Sequence, residues 1–206
     1  MTSEAPTVFI VDDELSVRKS LGRLLKTAGY RVEAFASAGE FLQREPDEGI
    51  GCLVLDIQMP DLNGLELQKA VTEANRCLPI IFITGHGDIP TSVQAMKAGA
   101  VDFLSKPFDA NDLLDAIARA LETAQQQVQD RTVRDDIDRR LASLTPREYE
   151  VLQHVITGQL NKQIAAALGT SEKTIKVHRG RVMQKMQVQS VAELVRLCEK
   201  ADLRGP

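Results

Sequence analysis

The stretch Cys52-Leu-Val-Leu-Asp-Ile-Gln-Met-Pro60 holds a short apolar run that ends in an acidic residue, Asp56. Three further apolar runs end in polar residues in the same way; in chain order they are Val8–Val11 before Asp12 and Asp13, Ile80–Ile83 before Thr84, and Val101–Ser105 before Lys106. Continuous apolar runs of this length are typical of buried parallel strands. Open α/β sheets carry their sites at the carboxyl ends of their strands. The pattern therefore predicts that these polar residues share one edge of one sheet.

The first 122 residues alternate short apolar runs with amphipathic segments of helical length. The strand candidates are Val8–Val11, Arg31–Phe35, Cys52–Leu55, Ile80–Ile83 and Val101–Leu104, and helices are predicted to begin near Ser16, Ser37, Asn63, Ile89 and Asp109. Such alternation is typical of repeated βαβ units. Ser37 and Glu40 also have the spacing of a helix capping box. The sequence predicts an α/β fold with a doubly wound, five-stranded parallel sheet.

Residues 110–143 contain no Gly or Pro and predict a long helix that links two domains. Their apolar residues form two stripes with helical spacing, the first made of Leu114, Ile117, Leu121, Ala124 and Val128 and the second of Val133, Ile137, Leu141 and Leu144. The stripes are out of phase by one residue, so a disordered break over 130–136 is the alternative. We expect a first domain over 1–122, a linker helix over 123–143 and a second domain over 144–206.

The second domain is predicted to contain four helices and no strands. Thr145-Pro-Arg-Glu148 combines a capping residue, a proline in the first turn and an acid three residues after the cap, which indicates a helix start. Three more helices are expected over Asn161–Leu168, Glu172–Lys185 and Ser190–Ala201. The short turn with a glycine between the first two of these is typical of a helix-turn-helix motif.

Composition and charge narrow the classes of function. No apolar run approaches the roughly 20 residues that span a membrane, and the first residues lack the basic flank of a signal peptide. Three cysteines show neither disulfide nor metal spacing, which fits a reducing cytoplasm. Residues 1–122 hold 11 Lys and Arg against 19 Asp and Glu, whereas residues 144–206 hold 10 against 6. A basic domain joined to an acidic one is a candidate for binding phosphate backbones.

Three carboxylates at one sheet edge imply a bound cation, because their mutual repulsion is otherwise unfavourable. Oxygen ligands without Cys or His favour Mg²⁺, with Mn²⁺ as a substitute, over a Ca²⁺ cage that needs more ligands. Such a site suits a phosphoryl group, whose oxygens Lys106 and Thr84 can bind. Asp56 is the expected nucleophile, because Thr84 has no neighbouring base. Taken singly, Asp12 and Asp13 could equally cap a helix.

Together, Asp12-Asp13, Asp56, Thr84 and Lys106-Pro107 resemble, in type, order and spacing, the receiver domain of bacterial two-component response regulators. The resemblance implies that Asp56 accepts a phosphoryl group from a sensor histidine kinase. It further implies that Thr84 and Lys106 contact the phosphoryl oxygens.

The same resemblance assigns the metal ligands and a conformational switch. Direct ligation of Mg²⁺ is implied for Asp13, Asp56 and the backbone carbonyl of Gln58, with Asp12 acting through water. Phe103 stands at the family's aromatic switch position, with a plain core role as the alternative. His86 stands where the family tunes phosphate lifetime, and an exposed loop imidazole is the equal alternative.

The helix predicted over Glu172–Lys185 has an apolar inner face, formed by Ile175, Val182 and Met186. Helical projection places a largely basic set on the outer face, namely Lys173, Lys176, Val177, Gly180, Arg181 and Gln184. A basic face with one apolar residue suits the major groove of DNA. A solvated surface helix is the alternative.

The second domain resembles the LuxR-type DNA-binding domain over its whole length, and the tandem arrangement is similar to the NarL/FixJ group of response regulators. The matching residues include Thr145-Pro-Arg-Glu148, Gly158, Asn161-Lys162, Ile164-Ala165, Leu168, Ser171, Thr174, Val177-His178 and Lys185-Met186. The resemblance implies base contacts from Lys176 and Val177, and phosphate contacts from Asn161, Lys162, Ser171 and Thr174. For His178 it implies a packed, hydrogen-bonded framework role, with base reading as the alternative. Gly180 departs from the long side chains of relatives, which shifts contacts toward Arg181 and Gln184.

The sequence thus predicts a phosphorylation-dependent transcriptional regulator rather than an enzyme. The expected partners are a sensor histidine kinase, promoter DNA, RNA polymerase and a second copy of the chain, with target genes for aromatic (styrene) catabolism. Two alternatives are a DNA-binding regulator with an inert receiver and an Asp-nucleophile phosphatase. Asp56-Ile-Gln58 lacks the general-acid Asp that such a phosphatase needs two residues after its nucleophile.

Overall fold

The computed structural model describes residues 5–45, 49–60, 62–74, 78–85, 89–201 and 203. The chain divides into two compact units, Met1–Val128 and Gln129–Pro206. His86, on which the phosphate-lifetime hypothesis depends, lies outside the described residues. Within the part of the chain that the structure describes, every helix is too short or too polar to cross a lipid bilayer.

The first unit is built on one parallel sheet whose strand order is β2-β1-β3-β4-β5. Its strands are β1 (Thr7–Val11), β2 (Arg31–Phe35), β3 (Gly51–Asp56), β4 (Ile80–Thr84) and β5 (Asp102–Ser105). The helices that follow them are α1 (Leu15–Thr27), α2 (Ala38–Gln43), α3 (Gly64–Glu73), α4 (Ile89–Lys97) and α5 (Ala110–Ala142). The predicted doubly wound fold is confirmed.

Strand alternation divides the core of the first unit into two layers. On one face of the sheet, Val8, Val54 and Ile83 pack against buried residues of α1 and α5. On the other face, Phe9, Leu55 and Phe82 pack against α2, α3 and α4. Neighbouring strand residues point to opposite faces of the sheet, and helices cover both faces. Both sets of residues are therefore apolar, and each buried strand appears in the sequence as an unbroken apolar run.

Helices α2 and α3 begin at side-chain caps, and the cap that was predicted at α2 differs in detail. The Ser37 hydroxyl accepts from the Glu40 amide as expected, but the Glu40 carboxylate accepts from the amide of Ala36 instead of Ser37. A complete capping box is present at α3, where Asn63 and Glu66 each accept from the other's backbone amide. Both caps satisfy amides that lack a partner within the helix.

The long helix α5 is continuous from Ala110 to Ala142, so the alternative of a break over 130–136 is wrong. Its first buried stripe is shifted from the predicted one by about one position and consists of Leu113, Ala116, Ile117, Ala120 and Ala124. Leu114 and Leu121 are only partly buried, and Val128 is exposed. The second stripe is buried at Ile137 and exposed at Val133. Residues 125–135 between them are exposed, as the polar composition predicts.

The second unit contains α6 (Pro146–Ile156), α7 (Asn161–Ala167), α8 (Glu172–Lys185) and α9 (Val191–Lys200), after the end of α5. Their core includes Leu152, Ile164, Ile175, Val182 and Leu194. The predicted capping box at Thr145 and Glu148 is present at the start of α6. The all-α domain and its four helices are confirmed.

Helix α8 ends in a Schellman motif that uses a residue other than glycine. The amide of Val188 donates to the carbonyl of Met183 and that of Gln187 to Gln184, while Gln187 adopts a φ of 54°. This left-handed conformation is unfavourable for a residue with a Cβ atom and is usually occupied by glycine.

Gln187→Gly is therefore expected to stabilise the second unit by roughly 0.5 to 1 kcal/mol. Urea unfolding of the full chain, followed by circular dichroism, measures the change. Gln189→Gly is the matched control, because Gln189 is exposed and has no positive φ. It should lower stability, since glycine there only increases the entropy of the unfolded chain. Equal effects of both variants would contradict the prediction.

Candidate functional site

Three carboxylates meet at the carboxyl edge of the sheet, beside the switch point between β1 and β3. Asp12 directly follows β1 and is fully buried, Asp56 is the last residue of β3 and is 5% exposed, and Asp13 is exposed. One oxygen from each carboxylate lies within 4.8 Å of the others. In sheets of this strand order, ligands bind at that switch point. The structure thus brings together the acidic residues that the sequence singled out.

Lys106, which follows β5, is the cation of this cluster. Its Nζ lies 2.8 Å from Asp12 Oδ2 and 3.3 Å from Asp56 Oδ2. Its backbone amide donates to the carbonyl of Thr84, the buried last residue of β4, at 2.7 Å. Phe103 lies on β5 beside Phe82 and packs, half-buried, against the core on the α2–α4 face. Asp12, Asp13, Asp56, Thr84 and Lys106 therefore lie at the carboxyl ends of adjacent strands, and Phe103 lies within β5.

The charges of the cluster are not balanced evenly. Burial raises the pKa of Asp56 above its usual value, and although Lys106 opposes this shift, the charge of Asp12 adds to it. Burial would lower the pKa of Lys106, but its hydrogen bond to Asp12 and both negative charges raise it above the ordinary value. Both pKa values are therefore raised, which disfavours the charged form of Asp56 and favours that of Lys106, and Lys106 lies closer to Asp12 than to Asp56. Of the two buried carboxylates, Asp56 is therefore the one whose negative charge Lys106 compensates less.

Backbone contacts fix the loops that carry these residues. Asp12 Oδ1 accepts from the amide of Glu14 at 2.8 Å, and Asp56 Oδ1 accepts from that of Gln58 at 3.4 Å. Arg18 donates from Nη1 to the carbonyls of Asp12 and Asp13. Sequence reasoning missed Arg18, whose only signal is its place on the helix that follows the acidic pair.

Gly64 is a second residue of the site whose role the sequence did not predict. A Cβ atom at this position would lie 2.5 Å from the backbone oxygen of Asp56 and 3.0 Å from Phe82. Its amide donates to the carbonyl of Ile57 at 3.0 Å. Only glycine lets α3 begin this close to β3, so Gly64 holds the strand end that carries Asp56.

The donor set fits Mg²⁺. It consists of carboxylate oxygens, and two of the three carboxylates are buried or nearly buried. A divalent cation removes the repulsion between their like charges. Asp12, Asp13 and Asp56 are the residues that would hold the ion.

Mg²⁺ is expected to raise the thermal stability of the chain, by about 1.4 kcal/mol at a concentration ten times its dissociation constant. Asp13→Asn should remove most of this gain, because it deletes an accessible ligand. Without Mg²⁺ the same variant should be slightly more stable than the wild type, since one repulsive charge is gone. Differential scanning calorimetry with and without Mg²⁺ measures both effects.

Glu73→Gln is the control for this experiment, because Glu73 is an exposed acid on α3 with only a surface pair to Lys69. It should keep the full Mg²⁺ response. If Asp13→Asn responded to Mg²⁺ as the wild type does, the metal would bind elsewhere.

The second unit presents the predicted helix-turn-helix, formed by α7, Gly169 and α8. Gly169 takes a positive φ of 61° in the turn. Ile175, Val182 and Met186 are buried, whereas the predicted outer face is exposed throughout, at Lys173, Lys176, Val177, Gly180, Arg181 and Gln184. Val177 is an apolar side chain that remains 49% exposed. This combination of charge and exposed apolar surface is suited to base edges and phosphates.

The residues predicted to touch phosphates have structural contacts of their own. Asn161 Oδ1 accepts from Arg179 Nη1 at 2.9 Å, which joins the start of α7 to α8. Ser171 accepts from the amide of Thr174, and their hydroxyls lie 2.8 Å apart. Lys162 is exposed. Asn161, Ser171 and Thr174 therefore shape the motif whether or not they touch DNA.

His178 differs from its predicted environment. The ring is half-buried, as expected of a framework residue. Its Nδ1 is buried and has no hydrogen-bond partner among the described residues, so the expected hydrogen bond is absent at that atom.

Comparisons with known proteins match two separate parts of the chain to two family models. Residues 8–118 match the model of the response regulator receiver domain, and residues 142–198 match that of the bacterial regulatory proteins of the luxR family. The chain therefore belongs to the family of bacterial response regulators that join a receiver to a LuxR-type DNA-binding domain. These proteins are transcription factors and not enzymes, which removes the phosphatase alternative.

Individual relatives match along almost the whole chain. Nodulation protein W of Bradyrhizobium diazoefficiens is 47% identical over 93% of this chain and 85% of its own length. Transcriptional regulatory protein FixJ of Rhizobium meliloti is 46% identical over 93% of this chain and 94% of its own. The solved structure of the response regulator StyR matches with a TM-score of 0.80 and 51% identity over 95% of this chain and 99% of that one. The resemblance stated from the sequence is confirmed.

Proposed function

We propose that phosphorylation of Asp56 by a sensor histidine kinase promotes pairing of two chains and binding of α8 to promoter DNA. The observation that carries this proposal is the buried cluster in which Asp56, two further carboxylates and Lys106 converge within one chain that also exposes a basic helix-turn-helix face. The first site is suited to receiving a phosphoryl group, and the second to phosphate backbones and bases.

In the transfer step, a carboxylate oxygen of Asp56 attacks the phosphorus of the kinase's phosphohistidine. A P–O bond forms, the P–N bond breaks, and its electron pair leaves with the imidazole, which takes up a proton. Mg²⁺, when bound, offsets the charge of the phosphoryl oxygens. Lys106, whose Nζ lies 3.3 Å from Asp56 Oδ2, is placed to bind one of those oxygens after transfer.

The signal leaves the site through Thr84 and Phe103. Thr84 ends β4 next to Asp56 on β3, and its hydroxyl is suited to bind the new phosphoryl group. Movement of Thr84 changes the packing around Phe103, which is half-buried on β5. Phe103 has no hydroxyl group, so this switch works through packing alone. A phosphoryl group adds about −2 charge, enough to bias two packings by a few kcal/mol.

The surface for pairing two copies is the exposed face of α4. Ile89, Val93 and Met96 follow helical spacing and are 79%, 44% and 45% exposed. Helix α4 packs beside β5, which carries Phe103, so a change at Phe103 reaches this face directly. Light scattering before and after acetyl phosphate tests the pairing. A chain that gains DNA affinity while remaining monomeric would contradict it.

On DNA, Lys176 and Val177 are proposed to read bases, with Lys173, Arg181 and Gln184 beside them. Phosphate contacts are proposed for Asn161, Lys162, Ser171 and Thr174. The bound pair is proposed to recruit RNA polymerase, and target genes for aromatic (styrene) catabolism, expected from the sequence, stay part of the proposal. This function is proposed to take place in the cytoplasm, where promoter DNA is accessible.

Gly180→Lys is expected to strengthen DNA binding, since a Cβ atom at Gly180 meets nothing within 4 Å and the added side chain extends from the DNA-facing surface. The slope of log affinity against log salt should steepen by about 0.9, the contribution of one more phosphate contact. Gly180→Ala is the control. It should stabilise α8 by about 1 kcal/mol through helix propensity and leave the slope unchanged.

Footprinting of the upstream region of candidate genes, with and without acetyl phosphate, tests the proposed function as a whole. Protection that appears or extends only with the phosphodonor is the expected result. Protection that is identical in both lanes would favour the inert-receiver alternative, and absence of protection in both would remove the DNA-binding function.

A further inference from the structure

The C-terminal ends of α5 and α8 are joined by two reciprocal hydrogen bonds. Arg140, in the last turn of α5, donates from Nη1 to the carbonyl of Met186, the C-cap of α8, at 2.9 Å. Lys185, in the last turn of α8, donates from Nζ to the carbonyl of Ser143, just beyond α5, at 2.9 Å. Each helix end thus receives a cation from the other, which the helix dipole favours.

Both cations are held in place by further contacts. Arg140 is only 23% exposed, and its Nη2 lies 2.5 Å from Asp136 Oδ2, one turn earlier on α5. Lys185 also donates to the buried carboxylate of Glu148 at 2.6 Å. Around them, Leu141 packs against the core that contains Met186. The junction is therefore a built contact and not an incidental surface pair.

We propose that Arg140 and Lys185 are positioning residues for DNA binding, which hold α8 in a fixed orientation on the end of α5 without touching DNA themselves. This inference rests on the proposed function of α8. Lys185 is nine residues from Lys176, or about 14 Å along the helix at 1.5 Å per residue. The donors of both cations are also directed to protein carbonyls, unlike the exposed outer face of α8.

The physical consequence is that any displacement of the last turn of α5 is transmitted to α8. Arg140 connects the two through the carbonyl of Met186, which takes no part in the Schellman bonds of the helix end. Loss of Arg140 should let α8 adopt several orientations on its core, and only some of them match a given sequence of bases. Binding to a specific site should then suffer more than binding to DNA in general.

Arg140→Ala in the full chain tests the proposal, with Arg139→Ala as the matched control. Arg139 is one residue away on the same helix, carries the same charge and donates to the neighbouring Asp135 and Asp136 on that helix. The probes are a labelled duplex selected from a random pool by the acetyl-phosphate-treated wild type, and a duplex of unrelated sequence. Fluorescence anisotropy over a range of salt concentrations gives affinity and salt slope for both.

Arg140→Ala is expected to bind the selected duplex about tenfold more weakly, with an unchanged salt slope and little change on the unrelated duplex. Arg139→Ala should behave as the wild type, while Lys162→Ala should lower the slope by about 1, because Lys162 is proposed to contact a phosphate. A slope change of that size for Arg140→Ala would make it a DNA contact and overturn the proposal. So would an affinity equal to that of Arg139→Ala.

A second variant and a hydrogen-exchange measurement test the proposal if Arg140→Ala folds poorly. Arg140→Lys keeps a cationic donor and should recover most of the specific affinity with an unchanged slope, and failure to recover would count against the proposal. Hydrogen exchange at the amides of Gln187 and Val188 should be faster in Arg140→Ala than in Arg139→Ala. That measurement needs no DNA, so it separates failure of the junction from failure of DNA binding itself.

Discussion

Asp56→Asn is expected to abolish phosphorylation of the chain and the gain in DNA affinity that follows it. The amide is nearly isosteric with the carboxylate but is not a nucleophile at neutral pH. Intact-mass spectrometry after acetyl phosphate should show one added phosphoryl group on the wild type and none on the variant. The wild type should gain roughly 5- to 150-fold in DNA affinity, the usual range of coupling between two sites, and the variant should gain nothing.

Asp115→Asn is the control for this substitution, because Asp115 is an exposed acid on α5, outside the carboxylate cluster. It should be phosphorylated and activated as the wild type is. A phosphoryl group that persisted in Asp56→Asn would identify another acceptor, for which the exposed Asp13 is the nearest candidate.

Glu148→Gln is expected to destabilise the second unit by roughly 3 kcal/mol at neutral pH. Glu148 is 2% exposed. Its Oε2 accepts from Lys185 Nζ at 2.6 Å and from the amide of Thr145 at 2.9 Å. These hydrogen bonds, first that of Lys185, lower the pKa of Glu148 from 4.5 to about 2. The substitution removes the charge that they stabilise.

The pH dependence of this stabilisation has a definite sign. Because the folded-state pKa is lowered, the unfolded chain takes up the proton first, and the contribution is complete above the unfolded value near 4.5. It is lost as the pH falls from there to about 2. Urea unfolding, with hydrogen exchange read at α6 and α8, should show a gap between wild type and Glu148→Gln at pH 7 that closes at low pH.

Glu150→Gln provides the comparison on the same helix. Glu150 pairs with Arg147 at 2.7 Å, but their side chains are 47% and 37% exposed. Exposed pairs contribute from nothing to about 1 kcal/mol, so this variant should lie close to the wild type at all pH values. A gap for Glu148→Gln that stayed constant with pH would show that its cost arises from packing and not from charge.

The fold could be predicted because its determinants are local. Each buried strand appears as an apolar run, and the predicted strand ends differ from the observed ones by at most one residue. The differences at Asp56 and Thr84 arise because these polar residues still pair in the sheet, with Ile83 and Ser105. The residues of the capping box at Asn63 are present in the sequence, but the box was not predicted. At α2 the carboxylate of Glu40 accepts from the amide of Ala36, which the extended backbone places within hydrogen-bond distance.

The candidate sites could be predicted where residue type alone limits the chemistry, as at the three carboxylates. Contacts between distant segments could not. Arg140 and Met186 are 46 residues apart, and nothing in either local sequence indicates that they meet. Gly64 and Arg18 lie close in sequence to Asp56 and Asp12, but their roles depend on the folded geometry of the backbone there, which residue type alone does not indicate.

The alternation of side chains along the strands places two structural elements of the receiver on opposite faces of the sheet. Phe103 and the exposed face of α4 belong to the helix layer on one side of the sheet, whereas α5 is anchored by Leu113, Ile117 and Ala120 on the other. A substitution on one layer leaves the anchors of the other intact. The proposed pairing of chains and the anchoring of α5 can therefore be altered one at a time, which would let an engineer build a regulator that pairs constitutively without disturbing α5.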